Sequence, residues 1–132
     1  MTDRMTDREL YLKAKEVLAA AYAPYSGFSV GAAAEAQNGA VYTGVNIENA
    51  SYPAGICAER TAMAKAVSEG ERLFTRIAIA SSGGEAWPCG ICRQFMNEFC
   101  EDPEKLTVIT GADEDHLESM SLAELLPKGF RL

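Results

Sequence analysis

The sequence predicts an α/β fold in which helices cover a mixed β-sheet. Segments of helix and strand pattern alternate along the chain in the order α-β-β-α-β-α-β, followed by a tail of weaker pattern. Apolar residues make up 48% of the 132 residues, enough to fill a core and too many for a disordered chain or a coiled coil. No linker or solenoid repeat breaks the pattern, so residues 1–132 read as a single domain.

Thr6 and Glu9 form a T-x-x-E capping box that opens the first helix. Leu10, Ala14, Val17, Leu18 and Ala21 recur along one face of it, so it is predicted to run to about Ala21. Pro24, Ser26 and Gly27 then break the helix. Phe28 to Gln37 and Val41 to Ile47 read as strands joined at Asn38-Gly39, a strong tight-hairpin signal. Residues 49–55 contain Pro and Gly and read as a loop. Cys57 to about Glu69 is rich in Ala and reads as a helix. A short apolar strand follows at Arg76 to Ser81, then a loop, then a helix from Cys89 to Cys100 with Phe95, Met96 and Phe99 turned inward. Leu106 to Thr110 is a further strand, and Ser121 with Glu124 caps a short final helix. Met-Thr-Asp-Arg occurs twice, at 1–4 and 5–8, with no function evident from the sequence.

The formal net charge is −7. Nucleic-acid affinity comes largely from Lys and Arg on phosphates, so this balance argues against a nucleic-acid partner and suits a small neutral ligand. No apolar run approaches the roughly 18 residues of a membrane span. The charged opening residues do not resemble a secretory signal, and a cytoplasmic location is expected. In that reducing compartment the four cysteines, Cys57, Cys89, Cys92 and Cys100, are read as ligands, nucleophiles or core residues rather than disulfides.

Cys89-Gly-Ile-Cys92 at a predicted helix start lets two thiolates converge on one ion, and the helix N-terminus favours their charged form. Cys57 begins another predicted helix upstream. If both helix starts lie on one rim of the sheet, three sulfurs surround one metal and a fourth position stays open, as in a catalytic zinc site. Glu59, two residues after Cys57, is then placed to accept a proton from water at the metal. Three thiolates on a divalent ion leave one net negative charge, which weakens the ion as a Lewis acid. Arg60 and Arg93 follow the motif residues directly, and either can donate to sulfur or pair with surface acids. His116, the sole histidine, lies far from both motifs and reads as a surface residue. Cys100 is about 12 Å along a helix from Cys92, too far to share its ion, and reads as a buried free thiol.

Cys57-Ala-Glu59 together with Pro88-Cys-Gly-Ile-Cys92 resembles the zinc motifs of the cytidine and deoxycytidylate deaminases, in the branch with three cysteine ligands. The likeness extends to Pro24-Tyr-Ser-Gly-Phe-Ser-Val-Gly-Ala32, to Asn46-Ile-Glu-Asn-Ala-Ser-Tyr52 and to Leu125-Leu-Pro-Lys-Gly-Phe130, and so covers roughly residues 10 to 130. Ile91 stands where a small residue is common. The resemblance implies a three-layer α-β-α sandwich with about five strands. It implies one zinc ion per subunit, held by Cys57, Cys89 and Cys92, with Glu59 catalytic and Arg60 beside the sulfurs. The reaction implied is hydrolytic deamination of cytidine and deoxycytidine to uridine and deoxyuridine in pyrimidine salvage. Phe28 is implied to pack on the pyrimidine, and the Ala58 N–H to hold the cytosine carbonyl. Asn46 and Glu48, two apart and so on one face of an extended segment, are implied to bind the ribose. The resemblance further implies a homotetramer with active sites at subunit interfaces, which Tyr52 and Phe130 would reach from a neighbour. From residue pattern alone, Phe28 also fits a core position, the Asn46/Glu48 pair a polar strand edge, and Phe130 a tail packed on its own core.

Two other readings of the cysteines stand beside this one. A thiol–disulfide oxidoreductase would place C-x-x-C after a strand at a helix start, but leaves Cys57-x-Glu59 without a role. A binding module with structural zinc needs a fourth ligand that the pattern does not supply. Within the family, aminonucleoside deaminases share the zinc motifs, and the Asn46/Glu48 segment fits cytidine better.

Overall fold

The structure, a computed structural model, describes residues 4–132. Its elements are α1 (Asp7–Glu16), β1 (Val30–Ala36), β2 (Val41–Val45), α2 (Ala58–Ser68), β3 (Phe74–Ser81), α3 (Gly90–Glu98), β4 (Thr107–Gly111), β5 (Leu117–Ser121) and α4 (Leu122–Leu125). The strands form one mixed sheet in the order β2-β1-β3-β4-β5. Only β3 and β4 pair in parallel, joined by the α3 crossover. The other pairs are antiparallel. Because β1 runs against both β2 and β3, those two strands point the same way. The helices that follow them therefore start at the same edge of the sheet. Strand β5, in the tail of weak pattern, is the element the sequence did not reveal.

Side chains of opposite parity in β1 and β3 build two cores. Ala32, Ala34, Ile77 and Ile79 face α2, α3 and α4, with Met63, Met96 and Leu122 filling the space between. Ala33, Ala78 and Ala80 face α1, where Leu10, Tyr11 and Ala14 pack on them. The helices thus lie on both faces, as expected. Small residues let them lie close. A Cβ on Gly31 would sit 2.1 Å from the Ala14 carbonyl oxygen, and one on Gly44 would sit 2.4 Å from the Ala62 nitrogen. Backbone cannot yield at those distances, so helix α2 rests directly on β2.

Element ends differ from expectation for identifiable reasons. Helix α1 stops at Glu16, and Ala20 and Ala21 bond to Val17 and Leu18 in a tighter 3₁₀ turn. Strand β1 starts at Val30 rather than Phe28 because the Asn46 amide takes the preceding backbone groups. It donates to the Phe28 carbonyl at 2.8 Å and accepts from the Val30 N–H at 2.9 Å. Both expected capping boxes, at Thr6 and Ser121, are formed. Met96 is fully buried as expected, while Phe95 and Phe99 are only partly covered. The first copy of the Met-Thr-Asp-Arg repeat lies mostly outside the described residues. The second has structural work: Thr6 caps α1, and Met5 and Asp7 hold Arg76.

That contact belongs to a charged cluster beneath α1. Arg76 of β3 grips its cross-strand partner Glu35 of β1 with two parallel hydrogen bonds, at 2.8 and 2.5 Å, and Thr75 adds a third at 2.7 Å. Glu35 is 1% exposed. Burial pushes its carboxyl up, but the Arg76 and Thr75 hydrogen bonds outweigh burial and leave it below its ordinary 4.5. A depressed native pKa means stability that is complete above about pH 4.5 and is lost as pH falls through the lower, folded value. Substituting Glu35→Ala strands the Arg76 charge and is expected to cost about 3 kcal/mol, the lower range for a broken buried pair because Asp7 remains. Denaturant titrations of both proteins at pH 7 and pH 4 check this. The difference between them should shrink in acid.

Candidate active site

The common edge of β2 and β3 brings the three motif cysteines together. Cys57 is the N-cap of α2 and Cys89 the N-cap of α3, both in extended conformation and neither capping through its side chain. Cys92 lies in the first turn of α3 and is fully buried. The three sulfurs lie within 4.8 Å of one another, and Cys57 Sγ is 3.8 Å from Cys89 Sγ. Zinc–sulfur bonds of about 2.3 Å in a tetrahedron put sulfurs about 3.8 Å apart, so the spacing fits that ion. All four cysteines are free thiols. Two helix N-termini direct positive ends at this cluster. A hydrogen bond from Cys92, aided by Arg60 and Cys89, brings the Cys57 thiol down to about 5. The same pairing and burial push Cys92 up. The pair thus shares a proton that a metal readily displaces.

Arg60 reaches the cluster. Its Nη2 donates to Cys57 Sγ at 3.8 Å, while its buried Nε has no partner. The guanidinium lies against sulfur and makes no ion pair with a carboxylate among the described residues. Arg93 takes neither role open to it from sequence: it donates to the Pro88 and Leu125 carbonyls, at 2.7 and 2.8 Å. Among the described residues, Cys57, Cys89 and Cys92 are the one group of three or more potential ligands so arranged. Cys100 is 3% exposed and contacts Asn97 and Arg131 at the far end of α3. His116 is exposed and bonded to Asp113 at 2.8 Å. Neither supplies a fourth ligand.

A cavity of about 750 Å³ opens at the cluster, ample for a nucleoside-sized ligand. Cys57, Ala58, Glu59 and Arg60 line its floor with Cys89, and Phe28, Asn46, Glu48 and Tyr52 line its walls and mouth. Glu59 is 5% exposed, and burial raises its carboxyl to about 7, with the nearby Cys57 charge adding to the rise. Ala58 is the first residue of α2, where the backbone N–H has no intrahelical partner. Phe28 is half-exposed and backed by Gly83, where a Cβ would come within 2.7 Å of the ring.

Two of the expected ligand-binding residues also build the pocket wall. Asn46 brackets Phe28 as described above. Glu48 accepts from the Tyr25 and Ser26 N–H groups at 2.9 and 3.1 Å and from the Ser26 hydroxyl. Those hydrogen bonds hold its carboxyl below the usual range. They take three of the roughly four acceptor positions a carboxylate offers. Tyr52 is highly exposed and packs edge-on against Tyr25, with ring centroids 6.2 Å apart. Phe130 lies away from the cavity of its own chain. The residue is 65% exposed, which overturns the alternative of a tail side chain buried in its own core. The sequence reading missed Tyr25, Ser26 and Trp87 as lining residues. Tyr25 and Ser26 lie in a turn read only for its shape. Trp87 directly precedes the Pro88-Cys89 motif, a signal that was available.

The cytidine and deoxycytidylate deaminase zinc-binding region matches residues 4–110. The chain belongs to this deaminase family. A cytidine deaminase of Sporosarcina psychrophila is 44% identical over 129 residues, covering 96% of this chain and 92% of that protein. One of Halalkalibacterium halodurans is also 44% identical, covering 94% of each. The crystal structure of a Burkholderia pseudomallei cytidine deaminase superposes with a TM-score of 0.87 at 42% identity, covering 96% of this deaminase chain and all of that one. The sheet order and helix placement of this deaminase are therefore those of the family. The redox reading of Cys89 and Cys92 loses its basis, since a third sulfur and an arginine complete the cluster.

Proposed function

We propose that this deaminase converts cytidine and deoxycytidine to uridine and deoxyuridine with release of ammonia, using one zinc ion held by Cys57, Cys89 and Cys92. The observation that carries the reading is three converging sulfurs, two of them at helix N-termini, beside a buried glutamate in a nucleoside-sized cavity. Zinc bound there would lower the pKa of water toward neutrality and so make it a nucleophile at physiological pH. The remaining steps belong to the chain. Glu59, poised at about 7, takes the proton from water, carries it to N3 of the cytosine ring and later protonates the departing amine. This proton traffic is the chemistry of zinc deaminases as a class. The Ala58 N–H, at the positive end of α2, holds the cytosine carbonyl. Phe28 packs against the ring, and Asn46 and Glu48 meet the ribose hydroxyls. Arg60 restores the electrophilic character that three sulfurs take from the metal.

The exposure of Tyr52 and Phe130 supports a homotetramer in which these aromatics complete a neighbour's site. The net charge of −7 supports free nucleosides rather than nucleic acid as substrates, and with them a place in cytoplasmic pyrimidine salvage. No described helix is long and apolar enough to cross a membrane.

Zinc-loaded protein is expected to deplete the absorbance of cytidine and deoxycytidine, to spare an aminonucleoside, and to lose activity after prolonged exposure to a chelator. Unchanged cytidine absorbance would overturn the reading. Light scattering should give four times the chain mass. Phe130→Ala is expected to lower activity at least 10-fold if the ring packs on a neighbour's substrate, since burying such a side chain contributes about 1.5–3 kcal/mol.

A further inference from the structure

The C-terminal segment is fastened along α3 by side chains that the proposed reaction does not use. Arg93 anchors one end. Its guanidinium bridges the Pro88 carbonyl, immediately before Cys89, and the Leu125 carbonyl at the close of α4. Pro88 and Leu125 are both buried. Further along the helix, Gln94 and the buried Asn97 both donate to the Phe130 carbonyl, at 3.0 and 3.2 Å. At the other end, Arg131 donates to the Asn97 carbonyl at 2.9 Å and to the Cys100 carbonyl at 2.5 Å, closing the C-terminus of α3. Gly129 fits tightly between these contacts: a Cβ there would lie 2.9 Å from the Asn97 side-chain nitrogen and 2.8 Å from Leu126.

We infer that Arg93 is a positioning residue for the metal: by tying the Pro88 carbonyl to the C-terminal segment, it fixes Cys89 against Cys57 and Cys92 and slows release of the ion. The physical reason lies in where Cys89 stands. It is an exposed N-cap whose own side chain makes no capping bond. The residue before it has a ring-fixed φ, and its carbonyl is held by a side chain from the next turn of the same helix. The Arg93 N–H also bonds to the Cys89 carbonyl at 2.9 Å. One residue thus holds the peptide units on both sides of the ligand. Its second anchor, Leu125 O, lies on another element, so the guanidinium is fixed at two points. Arg93 reaches the two carbonyls with two different nitrogens, Nε and Nη1, whereas a lysine has only one nitrogen to offer.

The inference rests on Cys89 being a zinc ligand, and its test separates the two. Zinc release from the loaded protein to a chromophoric chelator is followed for wild type, Arg93→Met, Arg93→Lys, Arg131→Met and Cys89→Ser. Arg93→Met is expected to release zinc about 10-fold faster, the lower range for groups that orient metal ligands. Arg93→Lys should fall between it and wild type. Arg131→Met cuts the far end of the same segment and controls for general loosening. Equal release from Arg131→Met and Arg93→Met at matched melting temperature overturns the inference, as does wild-type release from Arg93→Met. If Arg93→Met fails to fold, wild-type release from Arg93→Lys overturns it instead. Cys89→Ser that keeps zinc as wild type does refutes the ligand assignment itself. Trp87, the single tryptophan, lines the cavity beside Cys89, and its fluorescence gives a second readout of the metal that needs no turnover.

Discussion

Replacing Glu59 by Gln should leave a zinc-loaded, folded protein that has lost turnover by about 10³- to 10⁴-fold. The size follows from the number of proton transfers assigned to one carboxylate. Glutamine keeps the shape and can still hydrogen-bond at the position of the carboxylate. It can neither take a proton from water nor deliver one to N3 or the amine. The buried setting makes the loss severe, because bulk water has little access to stand in for a side chain only 5% exposed. The same setting protects the fold: replacing a carboxyl that burial has raised to about 7 with a neutral amide removes a desolvation penalty. Thermal stability should therefore hold or rise while kcat collapses. Metal analysis, melting and steady-state rates on one preparation check all three. Near-normal turnover with full zinc would remove Glu59 from the proton path.

The second large effect is expected at Cys57. Cys57→Ala should abolish tight zinc binding and, with it, measurable deamination. Two remaining sulfurs leave too few protein ligands for a catalytic zinc site, which uses three. Binding energy is lost beyond the one bond, since Cys57 is the sulfur that Arg60 approaches and a thiol whose pKa its neighbours hold down. The variant is left with the Arg60 guanidinium facing a methyl group, a partly buried cation without its anion. We expect the chain to fold nonetheless, because the two apolar cores do not depend on that sulfur. Stoichiometric zinc after dialysis, measured by atomic emission, is the result that would refute three-sulfur ligation.

Much of this molecule was legible in its residues, for unequal reasons. The cysteine cluster could be read because zinc chemistry demands few residue types at fixed spacings, and Cys57, Cys89 and Cys92 occupy helix starts that their flanking loops announce. Helices α1 and α4 were announced by capping boxes, and the β1–β2 hairpin by Asn38-Gly39. Strand β5 was not, because its residues Leu117 to Ser121 carry little apolar pattern: it is an edge strand with one side in solvent. The dual use of Asn46 and Glu48 was equally hidden. Pairing alone suggested ligand contacts, whereas their bonds to Phe28, Val30, Tyr25 and Ser26 depend on chain segments some twenty residues away. The role of Arg93 was left open because sequence adjacency to a ligand says nothing about direction. The side chain turns from the sulfur toward Leu125, a residue 32 positions away.

The strand order β2-β1-β3 sets a length as well as a topology. One strand separates β2 from β3, so the strands feeding the two ligand-bearing helices are two sheet spacings apart, about 10 Å. Packed helices stand about 8–10 Å apart, axis to axis. The two distances agree, so the starts of α2 and α3 can lie side by side at the sheet edge. Gly44 keeps α2 close to its strand. A metal ion held there would thus bridge a gap that backbone geometry has already set. On this view the sheet is a ruler: side chains choose the ion, and strand spacing decides that a single ion can reach both helices.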